Sequence, residues 1–573
     1  MQKYYQNYHK HTSYSHIYPK FKDSAVTIDD YLNAMLPLAQ KGYPQIYSTV
    51  EHGYQGVWTQ CLNKIEHFNE EHKSDTENYK PIKFVYGIEG YFVLDHTQKD
   101  DTNNHIILLA KNENGMKALN EANAKTFISN ETIENSNAKK FFNYNGKEPY
   151  FYKRNRYDID LLLSLPSDDV MVTTACVGFW GYSTKDNKLI NTEKTDEIIK
   201  ILNNHFTDFY LEVQPNKSEL QKQVNLHILK LSKELNIPII SATDSHGINE
   251  NDYLNKQQLV KASNNGELFY DNGDDFYEDF PSVEELYNRF KLQGILSDEE
   301  IETAIANTNK ILNFDDIVIG RSLKVPSIKE LKNATQEEKN KFLKNIINKE
   351  YKLQYDDMNH DLKDEYLKAI KYEFSEIEKC NMADYFIDDY YIVKKGIENG
   401  GIITDTGRGS APSFYINKLL GLTKIDRVNA VVKMYPERFM TATRILESKT
   451  PPDIDNNVAD REPFIQAQRE LMGNLSSFDL IAVGKLKLKS AFKMLTRAEN
   501  INPQIANKIT KQIDAYELAK KHSEEPENVD VEKFNPEEKK NPQSLRSLRI
   551  SLLRKFWRKF SRTRRCRPVS GCF

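Results

Sequence analysis

Two acids, Asp453 and Asp455, flank Ile454 in the stretch PPDIDNN (451–457), and upstream of them lies TDTGRGSAP (404–412). Alternate side chains of an extended segment share a face, so both carboxylates project together. Paired carboxylates of that kind can hold two Mg²⁺ ions over a triphosphate. Gly407, Gly409 and Ser410 bring small side chains and free backbone N–H groups just ahead of an apolar run, Phe414 to Leu422. A loop and helix start built this way can cradle phosphates. Either half alone reads as an ordinary turn or a solvated pair of acids. Together they point to nucleotidyl transfer.

A second set of reactive side chains is spread along the first half. Seven β-prone runs, KYYQNYHKH, PQIYSTVEH, IKFVYGIEGYFV, HIILLAK, VMVTTACVG, DFYLEVQ and IPIISATDSH, alternate with helical patterns. Six of the seven carry a metal-binding residue type at or near an end: His9 and His11; Glu51 and His52; Glu89; His105; Cys176; Asp244 and His246. HxH and DxH each place two ligands on one face of a strand. A lone histidine is ordinarily a surface or core residue, and Cys176 in an apolar run is most simply core. The repetition along successive runs is what favours a metal centre. Imidazole, carboxylate and thiolate suit Zn²⁺ or Mn²⁺, and these nine candidates suffice for two or three ions. A multinuclear centre can hydrolyse phosphoesters by activating water and neutralising the phosphate.

The elements that must position these groups follow from the pattern. Strands alternating with helices predict an α/β fold with a parallel sheet. Strand ends of a (β/α) barrel converge, so ligands distant in sequence can meet there. A chain of 573 residues exceeds one core, which predicts about two to four domains. Residues 251–320 are helical in pattern, with Ser282 as an N-cap and Glu285 three residues on. Lys329 to Lys379 reads as charged, solvated helix. Lys489, Lys493 and Arg497 recur every four residues, one cationic stripe on a helix, with Lys485 and Lys487 beside it. Such a stripe either faces solvent or meets phosphates.

Composition limits the surroundings. Apolar content of 39% and charged content of 28% describe a globular protein, with no apolar run of membrane-spanning length and no signal-peptide core in MQKYYQNYHKH. Five cysteines without CxxC pairs fit a reducing cytoplasm. A net charge of −4 gives no global basic field, so nucleic acid would bind on local patches. From Ser544 onward arginines crowd a segment without acids. That tail reads either as a basic helix gripping nucleic acid or an anionic surface, or as an out-of-frame terminus; the latter is favoured.

The run NMADYFIDDYYIVKKGIENGGIITDTGRGSAPSFYINKLLGLTKIDRV, then PERF, then PPDID, resembles the bacterial replicative DNA polymerase III alpha subunit family. Asp405 and Thr406 stand where that family has Gly and Pro, Pro412 replaces a small residue, and Asn457 replaces an acid. Residues 1–260, with HxH, EHG, GIE, HIILLAKNENG, TACVG and ATDSH, resemble the PHP (polymerase and histidinol phosphatase) domain of the same family, with Glu51 where Asp is usual.

The resemblance implies a multidomain α/β chain: a distorted (β/α)7 PHP barrel (1–260), an α+β nucleotidyltransferase-like palm with connecting helices (261–460), part of a helical thumb (461–543) and the tail (544–573). It implies catalytic Asp453 and Asp455 on Mg²⁺. Gly407, Arg408, Gly409, Ser410, Lys489, Lys493 and Arg497 would contact the nucleotide, and the barrel ligands would hold Zn²⁺ or Mn²⁺. Primer–template DNA, dNTPs and replisome subunits would be partners, with no membrane association. No KFD-like third carboxylate or clamp-binding region occurs in the sequence, so the expectation is a truncated chain with little processive polymerase activity. A metal-dependent phosphoesterase or 3′–5′ exonuclease, and an inert partner-binding fragment, are the competing readings.

Overall fold

Six of the seven β-prone runs form one sheet. Its strands are β1 (Ile46–Thr49), β2 (Lys83–Phe92), β3 (Asn104–Ala110), β4 (Arg156–Tyr157), β5 (Val170–Thr173), β6 (Asp208–Val213) and β7 (Ile239–Ser241). The order is β7-β6-β5-β3-β2-β1, with β4 paired to β2. The computed structural model describes residues 2–17, 21–100, 102, 104–134, 144, 146–183, 188–190, 192–263, 275–319, 325–473, 477 and 487–522. Lys485 and the basic tail from Ser544 lie outside the described residues.

The sheet is mixed, not parallel throughout. β3 runs antiparallel to both β2 and β5, while β6 is parallel to β5 and β7, and β2 is parallel to β1 and β4. The cause is local. Parallel neighbours need a crossover of a dozen or more residues, usually a helix, and none is seen among the described residues between Phe92 and Asn104.

The first run, KYYQNYHKH, is not a regular strand. Its last residues thread as an extended segment between the two outer strands' continuations. His11 N–H donates to Ser245 O (2.8 Å), Ser245 N–H to His9 O (3.1 Å) and Val50 N–H to Lys10 O (3.3 Å). That segment joins the two ends of the curled sheet and sets His9 and His11 at the rim.

The strands are buried on both faces, and alternate positions on one of those faces build the barrel interior. Ile46, Val50, Val85, Ile107, Leu109, Met171, Tyr210 and Ile240 form one buried cluster. Each such side chain contributes about 1.5–3 kcal/mol on burial.

The chain divides into two compact units. The first contains residues 1–134, 146–317 and 483–573; the second contains 135–145 and 318–482. In the first, the helix Glu250–Ser263 and a helix Val283–Gln293 follow the barrel, the latter opened by a full Ser282–Glu285 capping box. The helix Asp298–Thr308 packs on β7. The helix Leu488–Ala498, which carries the cationic stripe, also belongs to this unit and packs on Glu250–Ser263.

In the second unit, the long helices Gln336–Leu353, Lys363–Lys379 and Ala383–Glu398 enclose a core that includes Leu343, Ile377, Phe386, Phe414 and Phe439. An α+β palm was the expectation here. The described residues give helices and a single antiparallel bridge, Ile403 with Val458. Gly400 and Gly401 on one side and Pro451 and Pro452 on the other limit any ladder, since proline has no N–H to donate.

Candidate functional site

The barrel rim gathers the ligand types predicted from sequence. Because β3 is antiparallel, its first residues lie at the end where its neighbours finish, which is why His105 meets groups from other strand ends. His105 shares its parity with Ile107 and Leu109 of the barrel core, and Glu89 shares its parity with Val85. His52 and Glu89 are joined by a parallel bridge just beyond β1. Asp244 follows β7 with a left-handed φ of +49°. Ala175, next to Cys176, has φ +50°. Left-handed backbone at non-glycine residues is a strain that clusters at functional sites.

Among the described residues, three groups of side chains converge closely enough to hold an ion: His11, Asp23, His52 and His246; His9, His11 and Asp244; and His52, Glu89 and His105. His11 and His52 are shared between groups. Glu89 lies at the centre, with Oε2 at 2.9 Å from His52 Nδ1 and 3.2 Å from His11 Nε2, and Oε1 at 3.1 Å from His105 Nδ1. Asp244 Oδ1 is 3.1 Å from His9 Nε2 and 3.3 Å from His11 Nε2. Asp23 Oδ2 is 2.6 Å from His246 Nε2 and 2.9 Å from His52 Nε2.

The donor chemistry fits divalent ions. His9 Nε2, His11 Nε2, His52 Nδ1, His105 Nε2, both Glu89 oxygens and Asp244 Oδ1 are buried and, beyond the ion-pair contacts among the rim groups, make no hydrogen bond. Buried polar atoms left this way are costly unless something else satisfies them. Burial pushes the carboxyls of Glu89 and Asp244 up, but neighbouring imidazoles outweigh it: His105 and His52 hold Glu89 well below the usual range, and His9 and His246 do so for Asp244. Burial likewise opposes the His9 cation, yet Asp244 and Glu212 raise its pKa well above the ordinary value. The neighbouring imidazoles therefore hold these carboxylates in the anionic form.

Two of the predicted ligands stand apart from the three groups. Glu51 is one residue out of phase with Ile46 and Val50. Its carboxylate accepts from Thr12 (N–H at 3.1 and 3.2 Å, hydroxyl at 2.5 Å) and lies 3.9 Å from His11 Nδ1, on the far side of that ring. Cys176 Sγ is 3.5 Å from His105 Nδ1 and accepts from Gly178 N–H; burial and then Asp244 push its thiol pKa well up. Two residues were missed. Asp23 falls in the irregular stretch FKDSAV, where no periodicity marks it. Glu212 had a weak signal: with Asp208 it is one of two acids on the one β-prone run to which no ligand was assigned, both on the inward parity of Tyr210.

In the second unit the glycine loop and the acid pair meet. Gly409 has φ +64°, and a Cβ there would lie 2.0 Å from Oδ2 of Asp455. Ile454 packs against the core while Asp453 stays exposed. Thr404 N–H donates to Asn457 O (2.9 Å), the Asn457 amide bonds the Thr406 hydroxyl, and Tyr385 donates to Pro452 O (2.6 Å). Arg408 Nε approaches Asp455 Oδ1 only to 4.0 Å, with side chains 71% and 32% exposed, so the acid is not sealed by a cation.

One element of the phosphate cradle is already taken. The following helix, Tyr415–Leu419, is five residues long, and its Tyr415 and Ile416 N–H groups donate to buried Glu373 at 2.9 and 2.8 Å. Only the loop 407–410 is left to meet an anion. In the first unit, the helix Leu488–Ala498 does carry Lys489, Lys493 and Arg497 at four-residue spacing, with the Lys489 ammonium 2.5 Å from Asp514.

Two family descriptions match parts of the chain. Residues 7–216 match the PHP domain, and residues 334–555 match the bacterial DNA polymerase III alpha NTPase domain. The chain is 24% identical over 542 residues to DNA polymerase III subunit alpha of Aquifex aeolicus, covering 90% of this chain and 41% of that protein. The same-named protein of Borreliella burgdorferi is 26% identical over 445 residues, 75% of this chain and 35% of the relative. That of Bacillus subtilis is 26% identical over 309 residues, 53% and 26% respectively. The chain thus spans about two fifths or less of the length of these curated relatives.

Proposed function

We propose, from the premise that this chain belongs to the bacterial DNA polymerase III alpha family, that it serves templated DNA synthesis in replication. The reaction is attack of a primer 3′-oxygen on the α-phosphorus of a dNTP, with pyrophosphate leaving and the hydroxyl proton passing to solvent. Primer–template DNA and dNTPs are the substrates, and other replisome subunits the partners.

The observation that carries this reading is the contact of Gly409 with Asp455. In support, among the described residues the 407–410 N–H groups donate to no backbone oxygen, and the cation nearest Asp455, Arg408, stays 4.0 Å away. Asp453 and Asp455 would hold Mg²⁺, which supplies charge neutralisation at the transferring phosphoryl group. Gly407, Gly409 and Ser410 would orient the phosphates through backbone N–H groups. Arg408, largely exposed, can swing from Asp455 to a phosphate oxygen. Lys489, Lys493 and Arg497, in the first unit, would neutralise template phosphates. Equilibrium binding of a dNTP to the full chain, with and without Mg²⁺, is the test. Binding that needs both Mg²⁺ and Asp453 supports the reading; metal-independent binding opposes it.

A second activity is favoured by the buried, converging nitrogens and oxygens at the barrel rim. There His9, His11, Asp23, His52, Glu89, His105, Asp244 and His246 would hold Zn²⁺ or Mn²⁺ for phosphoester or 3′–5′ exonucleolytic hydrolysis. Glu51 and Cys176 join only by rotating from their present partners. Mn²⁺-stimulated hydrolysis that survives Asp453→Asn and Asp455→Asn but not His9→Ala would establish it; hydrolysis indifferent to His9 would refute it.

A further inference from the structure

Glu212 lies beneath the metal centre, 1% exposed, on β6. Its two oxygens are fully engaged. Oε1 lies 2.8 Å from His9 Nδ1 and accepts from the Gln214 amide at 2.9 Å. Oε2 accepts from the Tyr8 hydroxyl at 2.7 Å and from the Thr173 hydroxyl at 3.0 Å. Glu212 belongs to none of the three converging groups.

An ionised carboxylate only accepts hydrogen bonds. The short contact therefore places the proton of a neutral His9 ring on Nδ1, and leaves the Nε2 lone pair directed at Asp244 and His11. The other imidazoles are held differently. His11 Nδ1 meets the Ser15 hydroxyl at 3.0 Å, and His246 Nδ1 meets the backbone oxygen of Asp244 at 2.8 Å. Among the described residues, His9 alone of the rim imidazoles has a carboxylate from outside the three groups within hydrogen-bond distance.

We propose that Glu212 is a positioning residue for one ion only, the ion of His9, His11 and Asp244. It fixes the tautomer and orientation of His9 and raises the basicity of Nε2, while Tyr8, Thr173 and Gln214 fix Glu212 itself. A carboxylate behind a ligating imidazole typically changes metal affinity by about 10–100-fold. The inference rests on the reading that the barrel rim takes divalent ions.

The experiment uses the full chain, stripped of metal by chelation and titrated with Mn²⁺ while free Mn²⁺ is followed by electron paramagnetic resonance. Glu212→Gln keeps the volume and a carbonyl acceptor for His9 but removes the charge. The expected result is that one class of sites weakens by about 10–100-fold while the remaining classes keep their affinity and the metal-free protein melts as before. Equal weakening of every class, or of none, would overturn the proposal. Wild-type protein that takes up no Mn²⁺ or Zn²⁺ would instead overturn the metal reading on which it depends. A second measurement needs no variant: ring ¹⁵N shifts of His9 in the Zn²⁺-loaded wild type should show a protonated Nδ1 and a ligating Nε2. The reverse assignment would also overturn it.

Discussion

Gly409 and Asp455 approach so closely that a single methyl group on Gly409 would fall 2.0 Å from the Asp455 carboxylate oxygen. The backbone there is also left-handed, at φ +64°. Both constraints oppose a side chain. Gly409→Ala is expected to cost about 1–2 kcal/mol of stability from the backbone alone. Because Asp455 must also move, Mg²⁺-dependent dNTP affinity should fall by about tenfold, or 1.4 kcal/mol. Calorimetric titration of the variant checks this; an unchanged affinity would separate Gly409 from the nucleotide.

Tyr385 donates to Pro452 O at 2.6 Å and so braces the residue immediately before Asp453. Tyr385→Phe removes that bond and little else. The expected loss is about 0.5–1.5 kcal/mol in stability, with a drop of about twofold to tenfold in Mg²⁺–dNTP affinity. Urea unfolding and the same titration give the two numbers. A stability loss with intact affinity would confine Tyr385 to a packing role.

His11 belongs to two of the three converging groups, whereas His105 belongs to one. His11→Ala should therefore release more metal per chain than His105→Ala, as read by atomic absorption after dialysis. Chelation should lower the melting temperature of the wild type, since an ion at a hundred times its Kd contributes about 2.7 kcal/mol. Chelation should lower the melting temperature of the His11 variant less than that of the wild type, because the group of His52, Glu89 and His105 remains. Equal metal loss from the two variants would contradict the shared-ligand arrangement.

Much of the rim was legible because strand periodicity is local: HxH and the parity of Glu89 and His105 follow from alternation, whereas Asp244 lies past β7 in left-handed backbone and enters a different group from His246. The direction of β3 was not, because it depends on the connection before it and on pairing with β5. Glu51 stands apart from the three groups for a related reason. Two adjacent acid and imidazole residues cannot face the same side, and the core phase of Ile46 and Val50 selects His52. Asp23 left no pattern, since it reaches His52 and His246 from an irregular segment. In the second unit, the spacing of Gly409 and Asp455 gave the juxtaposition, but the capture of Tyr415 and Ile416 N–H by Glu373 is a long-range contact that no local pattern reports.

Asp388 sets a pH dependence in the second unit. Burial, followed by the neighbouring Asp384 carboxylate, pushes its pKa up to about 8, with Asp389 also nearby and Lys339 engaged 2.7 Å away on Asp384. An unfolded aspartate titrates near 3.9. The folded state therefore binds more protons between those values, so stability is fully present below about pH 4 and declines as pH rises through about 8. Asp388→Asn should flatten that decline in urea melts between pH 5 and pH 9 and be the more stable protein at the alkaline end. A parallel fall in both proteins would assign the slope to other groups.

The central claim is that the glycine loop and the acid pair grip one metal–nucleotide complex. Iron-mediated affinity cleavage tests it most directly: Fe²⁺ replaces Mg²⁺, ascorbate generates hydroxyl radicals at the bound ion, and the cut sites are mapped by mass spectrometry. Addition of a dNTP should produce cuts at both 407–410 and 453–457, and Asp455→Asn should abolish both. Cuts confined to the barrel ligands, or at 407–410 and 453–457 with no dependence on the nucleotide, would contradict it.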